Sequence, residues 1–242
     1  MRKLTLAGLT AHVTGGTDGS GGGDGPVVVL LHGFGAPGTD LLPLGAEIPV
    51  EGGVRFVFPM APHIVDPYSP PDLAGRAWWM IDIAALQVAV MTRQYADLVE
   101  RKPDGIDAAR EKLEAFLEAM QLELAVSSDR CVLGGFSQGA MLATDTLLRG
   151  SKRYAGLLVL SGTLLTRGEW KALLPAQRGL PVLQSHGRAD PILPIELAAE
   201  LREMFVAAGL DVDWVEFNGG HGIPQRVLER AGVVLKKAFS AK

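Results

Sequence analysis

The chain has 242 residues, 48% of them hydrophobic and 21% charged, a composition that can fill a globular core. Its net charge of −4 offers no basic field for nucleic acid or anionic lipid, and its single cysteine, Cys131, excludes an internal disulfide and a multi-cysteine metal cluster. No stretch approaches the roughly 20 apolar residues of a membrane span, which argues against stable membrane insertion.

The N-terminal MRKLTLAGLTAHV sets two basic residues before a short apolar stretch. Thr5, Gly8 and Thr10 interrupt that stretch and no small-x-small cleavage site follows, so it reads as a first strand in a protein of the cytoplasm. Next, 15–25 (GGTDGSGGGDG) is nearly all turn residues and is expected to be a flexible surface loop that cannot pack. Apolar runs at 27–31, 54–58, 130–133, 157–160 and 181–184, with a weaker sixth at 212–217, have the continuous hydrophobicity of strands buried on both faces. Between them, 106–124 sets Ile106, Ala109, Leu113, Phe116, Leu117 and Met120 on one helical stripe, and 195–208 and 225–238 are patterned alike. The segment 66–76 (DPYSPPDLAGR) is proline-rich and irregular, and 83–102 has helical character; together 66–105 reads as a pocket-shaping or lid-like insertion. Cys131, inside an apolar run, reads as a buried, inert thiol. With strands and helices alternating and no linker or repeat, the expectation is one α/β domain over 1–242, a mostly parallel sheet with helices on both faces.

At 132–140 the chain reads VLGGFSQGA. Gly135-x-Ser137-x-Gly139 falls between a predicted strand and a predicted helix over 140–148, as in a nucleophile elbow. Such a corner strains the serine backbone, exposes Oγ and aims the next amide, that of Gln138, at the same space. A serine hydroxyl needs a base within hydrogen-bond reach, and an imidazole base needs a carboxylate to hold its tautomer. On this fold the order along the chain should be serine, acid, histidine. Asp190, in the turn after 181–184, and His221, after 212–217, meet that order. His12 lies in the first strand and His63 precedes the serine, whereas His32 and His186 precede glycines at strand ends and read as loop supports. The turn His32-Gly33-Phe34-Gly35 can direct the Phe34 amide towards Ser137, pairing with Gln138 as an oxyanion hole.

These pieces resemble the phospholipase/carboxylesterase family, which includes acyl-protein thioesterases and small bacterial carboxylesterases. The resemblance rests on Leu31-His32-Gly33-Phe34-Gly35, Pro59-x-Ala61-Pro62, the 76–82 stretch RAWWMID, Gly134-Gly135-Phe136-Ser137-Gln138-Gly139-Ala140, His186-Gly187-x-x-Asp190-Pro191 and Gly220-His221-Gly222. It implies an α/β hydrolase acting on a small-molecule ester or thioester without metal or cofactor. In that reading Ser137, Asp190 and His221 form the triad, and the Phe34 and Gln138 amides form the oxyanion hole. Trp78 and Trp79 would lie beside the acyl group with Leu41, Leu42 and Leu164, although core packing suits each leucine equally well. The chain departs from the family pattern in the long helical 83–102, in Ala36-Pro37 and in the loose 15–25 insert. An esterase, a thioesterase and a catalytically silent scaffold all remain open at this point, and a homodimer is compatible with each.

Overall fold

The computed structural model describes residues 1–70 and 73–240, the side chain of Asp97 apart. Pro71 and Asp72, in the proline-rich segment, and Ala241 and Lys242 lie outside the described residues. The predicted first strand is two strands, β1 (Arg2–Leu6) and β2 (Leu9–Gly16), paired antiparallel with Leu6 opposite Leu9. Ala7 and Gly8 between them both take positive φ (46° and 77°), which suits a two-residue hairpin whose twist follows that of its strands.

The glycine-rich segment corrects the expectation of a loop that cannot pack. Gly15 and Gly16 end β2, and β3 (Ser20–Gly22) pairs with them. The Asp18 carboxylate accepts hydrogen bonds from the amides of Ser20 and Gly22, both at 2.8 Å. Arg55, almost wholly buried, supplies the anchor that composition does not show. Its Nε donates to the Gly25 carbonyl at 2.9 Å, and its Nη1 donates to the Gly23 carbonyl at 3.1 Å and to the Leu124 carbonyl at 2.7 Å.

The sheet continues with β4 (Val27–Leu31) and β5 (Arg55–Pro59) and, after a separate two-stranded ribbon of β6 (His63–Ile64) and β7 (Arg76–Ala77), with β8 (Cys131–Phe136), β9 (Gly156–Leu160), β10 (Pro181–Gly187) and β11 (Asp211–Phe217). Across the sheet the order is β1-β2-β5-β4-β8-β9-β10-β11, parallel from β5 to β11. All the predicted strands are present. Two run further than expected because Gly134–Gly135 and Ser185–Gly187 stay in the ladder, Gly134 opposite both Leu30 and Leu158. A Cβ on Gly134 would stand 2.7 Å from the Leu158 Cβ, so the glycine makes room for its neighbour strand rather than ending its own.

Alternation along each strand divides two cores. Val27, Val29, Leu31, Leu133 and Val159 face one side, where α4 (Ile106–Glu123), α5 (Gln138–Arg149), α6 (Arg167–Leu173) and α7 (Ile195–Ala207) pack. Val28, Leu30, Val132, Leu158 and Leu160 face the other, under α1 (Leu44–Glu47) and α8 (Gln225–Ser240). The stripe predicted on α4 is buried at all six positions, each large side chain contributing roughly 1.5–3 kcal/mol. The predicted insertion forms α2 (Ile83–Thr92) and α3 (Ala96–Glu100). Cys131 is buried, and burial pushes its thiol up to about 12. Among the described residues no helix is long and apolar enough to cross a membrane.

Replacing Arg55 by Met keeps the apolar stem and strips the Gly25 and Leu124 carbonyls of their donors. It should lower unfolding stability by about 2–4 kcal/mol in denaturant titration, with room-temperature turnover unchanged.

Candidate active site

Parallel order brings the carboxyl ends of β4, β8, β9, β10 and β11 to one edge of the sheet, where α/β folds bind ligands. β8 ends at Phe136 and α5 starts at Gln138, leaving Ser137 at the corner with φ 54° and ψ −120°, strained for a residue with a side chain. Its amide donates to the Leu160 carbonyl at 2.9 Å, which ties the corner to β9. A Cβ on Gly139 would stand 2.1 Å from the Leu31 carbonyl oxygen, and one on Gly135 2.5 Å from the Gly139 carbonyl carbon. Both glycines are required by contact distance.

Asp190 and His221 meet. His221 Nδ1–H donates to Asp190 Oδ2 at 2.7 Å, while Asp190 Oδ1 accepts the amides of Ile192 at 2.9 Å and Leu193 at 3.0 Å. Burial alone would raise the Asp190 carboxyl, but His221 and these two amides outweigh it and hold the acid below its usual range. The Phe136 ring stands 4.6 Å from the imidazole, centroid to centroid, and fixes its tilt. Ser161, itself at φ 49°, donates Oγ–H to the Gly222 carbonyl at 3.1 Å and pins the loop that carries His221. With Nδ1 engaged, Nε2 is the basic nitrogen left for chemistry.

The Gln138 amide stands in the first turn of α5, where a helix leaves its N–H groups without internal partners. In the turn after β4 the Gly35 amide donates to the Arg76 carbonyl and the Ala36 amide to the Gly33 carbonyl; the Phe34 amide is outside these turn bonds. His32 secures the turn from below. Its Nδ1–H donates to the Gly33 carbonyl at 2.8 Å and its Nε2 accepts the Ala61 amide at 2.9 Å, a pairing that only the neutral ring can make. Trp78 Nε1–H closes the arrangement on the His32 carbonyl at 3.0 Å. Gln138 has a second use: its Oε1 accepts the Trp78 amide at 3.0 Å and its Nε2 donates to the Trp79 carbonyl at 2.8 Å.

Gly33, Phe34, Ser137 and His221 line a cavity of about 490 Å³, together with Ile83, Leu86, Val90 and Met91 of α2. A second cavity of about 410 Å³, lined by Trp79, Leu98, Leu164 and Leu197, adjoins it. Ile81, Leu86, Met141 and Leu193 border both. Of the five residues expected to bind substrate, Trp79 and Leu164 line this second cavity. The other three line neither, which corrects the expectation for them. Trp78 is buried as a brace for the His32 turn. Leu41 lies in the core beneath the opposite sheet face and Leu42 packs against it, because the turn after β4 carries them to that side. A larger cavity of about 680 Å³, lined by Pro26, Arg130 and Lys236, sits at the opposite edge of the sheet and holds no candidate residue.

Sequence reasoning missed the Gln138 side chain and Ser161. A signal existed for both: polar side chains set in otherwise apolar strand and helix ends, where burial demands a partner.

Burial lowers His32 to about 4, whereas the unfolded chain should titrate near the ordinary 6.5. Between those values the unfolded state binds the extra proton. The contribution of His32 is therefore complete above pH 6.5 and lost as pH falls towards 4, by on the order of 3 kcal/mol. Thermal melts from pH 7.5 to 4.5 should show this loss, and His32→Gln should flatten it.

The model of the phospholipase/carboxylesterase family matches residues 23–238. An acyl-protein thioesterase 1 of Gibberella zeae is 29% identical over 229 residues, 89% of this chain and 91% of that protein. That of Schizosaccharomyces pombe is 29% identical over 174 residues, 71% of each chain. Among solved structures, esterase PE8 is 27% identical with a TM-score of 0.75, covering 95% of this chain and 99% of its own. A Bacillus cereus carboxylesterase, 22% identical with a TM-score of 0.69 over 96% of this chain and 95% of its own, shares the fold. The protein is thus a hydrolase with the α/β-hydrolase fold, and the chain belongs to the phospholipase/carboxylesterase family.

Proposed function

We propose that the protein is a serine carboxylesterase that hydrolyses short- to medium-chain esters through an acyl-enzyme. The observation that carries this reading is the 2.7 Å hydrogen bond from His221 to Asp190 on the wall of the cavity that also holds Ser137. His221 Nε2 takes the hydroxyl proton as Ser137 Oγ attacks the carbonyl carbon, and Asp190 stabilises the imidazolium. The Phe34 and Gln138 amides receive the oxyanion, where one lost donor typically costs ~10²–10³ in rate. The tetrahedral intermediate collapses as His221 protonates the departing alkoxide. Water, deprotonated by His221, then cleaves the Ser137 ester and frees the acid.

The acyl tail runs from Ser137 along Ile81, Leu86, Met141 and Leu193, with the second cavity as its overflow. Both volumes fall in the range of small-molecule sites, roughly 300–1,000 Å³. The runner-up is thioester hydrolysis, favoured by relatives that carry the name acyl-protein thioesterase 1. The same residues serve both bonds, so rates on matched ester and thioester pairs decide between them.

Ser137→Ala should reduce kcat on p-nitrophenyl butyrate by about 10⁴–10⁶-fold while the protein stays folded, and should abolish labelling by a fluorophosphonate probe. Near-normal turnover in that variant would overturn the assignment. In a chain-length series, Leu86→Ala and Met141→Ala open the shared wall. They should move the preferred p-nitrophenyl ester towards longer acyl groups, each by about 10-fold in relative kcat/KM, in line with the discrimination an apolar pocket achieves per methylene.

A further inference from the structure

A second imidazole stands against the acid. His186, wholly buried near the end of β10, brings Nε2 to 3.3 Å from Asp190 Oδ2, the same oxygen that accepts His221. That Nε2–H donates to the Leu193 carbonyl at 2.8 Å, and the Leu193 amide donates back to Asp190 Oδ1 at 3.0 Å. The contacts form a closed circuit: Asp190 holds Leu193, Leu193 holds His186, and His186 abuts Asp190. Its other nitrogen, Nδ1, is buried and makes no hydrogen bond of ordinary geometry among the described residues, although the Gly162 backbone stands close enough to the ring to favour its proton. A buried polar atom left unpaired is costly, and an apolar side chain would fill the same volume without that cost. What the imidazole adds is the N–H at Nε2.

We propose that His186 is a positioning residue for the hydrolysis, holding the 190–193 turn and the Asp190 carboxylate so that Oδ2 stays aligned on His221. The inference rests on the triad reading given above. The N–H dipole also draws off part of the carboxylate charge. The groups facing His186 are Asp190 on its own turn, His221 from the loop after β11, and the backbone of Gly162 from the loop after β9. Burial holds the ring below its ordinary value even though the Leu193 carbonyl and Asp190 pull it upward. At neutral pH the ring is therefore an uncharged donor beside Asp190 and does not compete with the His221 cation.

The test compares His186→Leu, which fills the site without a donor, with His186→Gln, whose amide nitrogen reaches about as far as Nε2. For His186→Leu, kcat should fall about 10-fold with KM within about twofold. The acid limb of its kcat/KM profile should move up by about half a pH unit to one unit, because an unshared Asp190 charge favours the imidazolium. His186→Gln should restore both. A His186→Leu enzyme with wild-type kcat and acid limb overturns the proposal, as does a His186→Gln enzyme impaired to the same degree. Should either variant fail to fold, ¹⁵N spectra of the wild-type protein decide. A neutral His186 protonated at Nε2 from pH 5 to 8 supports the proposal, and protonation at Nδ1 overturns it. Ser137→Ala assayed alongside separates the two failures. Retained turnover there removes the triad reading itself, whereas an inactive Ser137→Ala beside an unaffected His186→Leu removes only the role of His186.

Discussion

The site is organised by one contact without side chains, the approach of Gly139 at the start of α5 to the Leu31 carbonyl at the end of β4. That approach sets how far α5 sits from the sheet, and hence how sharply the chain must turn at Ser137. The turn in turn decides where the serine hydroxyl and the Gln138 amide point. A backbone held at φ 54° by its surroundings is strain that folding must absorb, and the parallel ladder on both sides of β8 absorbs it.

Around that corner the parts share supports. Gln138 offers its amide to the cavity edge and, through its side chain, fastens the Trp78–Trp79 backbone. Trp78 in turn braces the carbonyl of His32, and His32 braces the turn that carries Phe34. The two candidate oxyanion donors, one in the turn after β4 and one in the first turn of α5, thus belong to one hydrogen-bonded unit. Preorganisation of this kind lets dipoles act on developing charge without rearranging first.

Much of this was legible in the sequence. The valine- and leucine-rich runs marked the parallel strands because burial on both faces leaves no polar alternation to obscure them. Ser137, Asp190 and His221 stood out as candidates because each follows a strand in the order the fold demands, and the structure does bring Asp190 to His221. Where the reading fell short, the missing information was three-dimensional. Gly15–Gly25 looked unable to pack because its anchor, Arg55, comes thirty residues after Gly25 and binds through backbone carbonyls, which leave no trace in composition. Leu41 and Leu42 looked suited to an acyl site because hydrophobicity does not say which face of the sheet a turn will reach.

The two cavities meet at Ile81, Leu86, Met141 and Leu193, and none of these four supplies a side-chain hydrogen bond to Ser137, Asp190 or His221. The elbow, by contrast, tolerates no added carbon at Gly135 or Gly139. On the proposed reading, reactivity and selectivity are therefore written in different materials, rigid main chain for one and replaceable apolar side chains for the other. Descendants of this sequence can drift in what they accept while keeping how they react, and a designer wanting a new preference has soft ground to work without disturbing the engine.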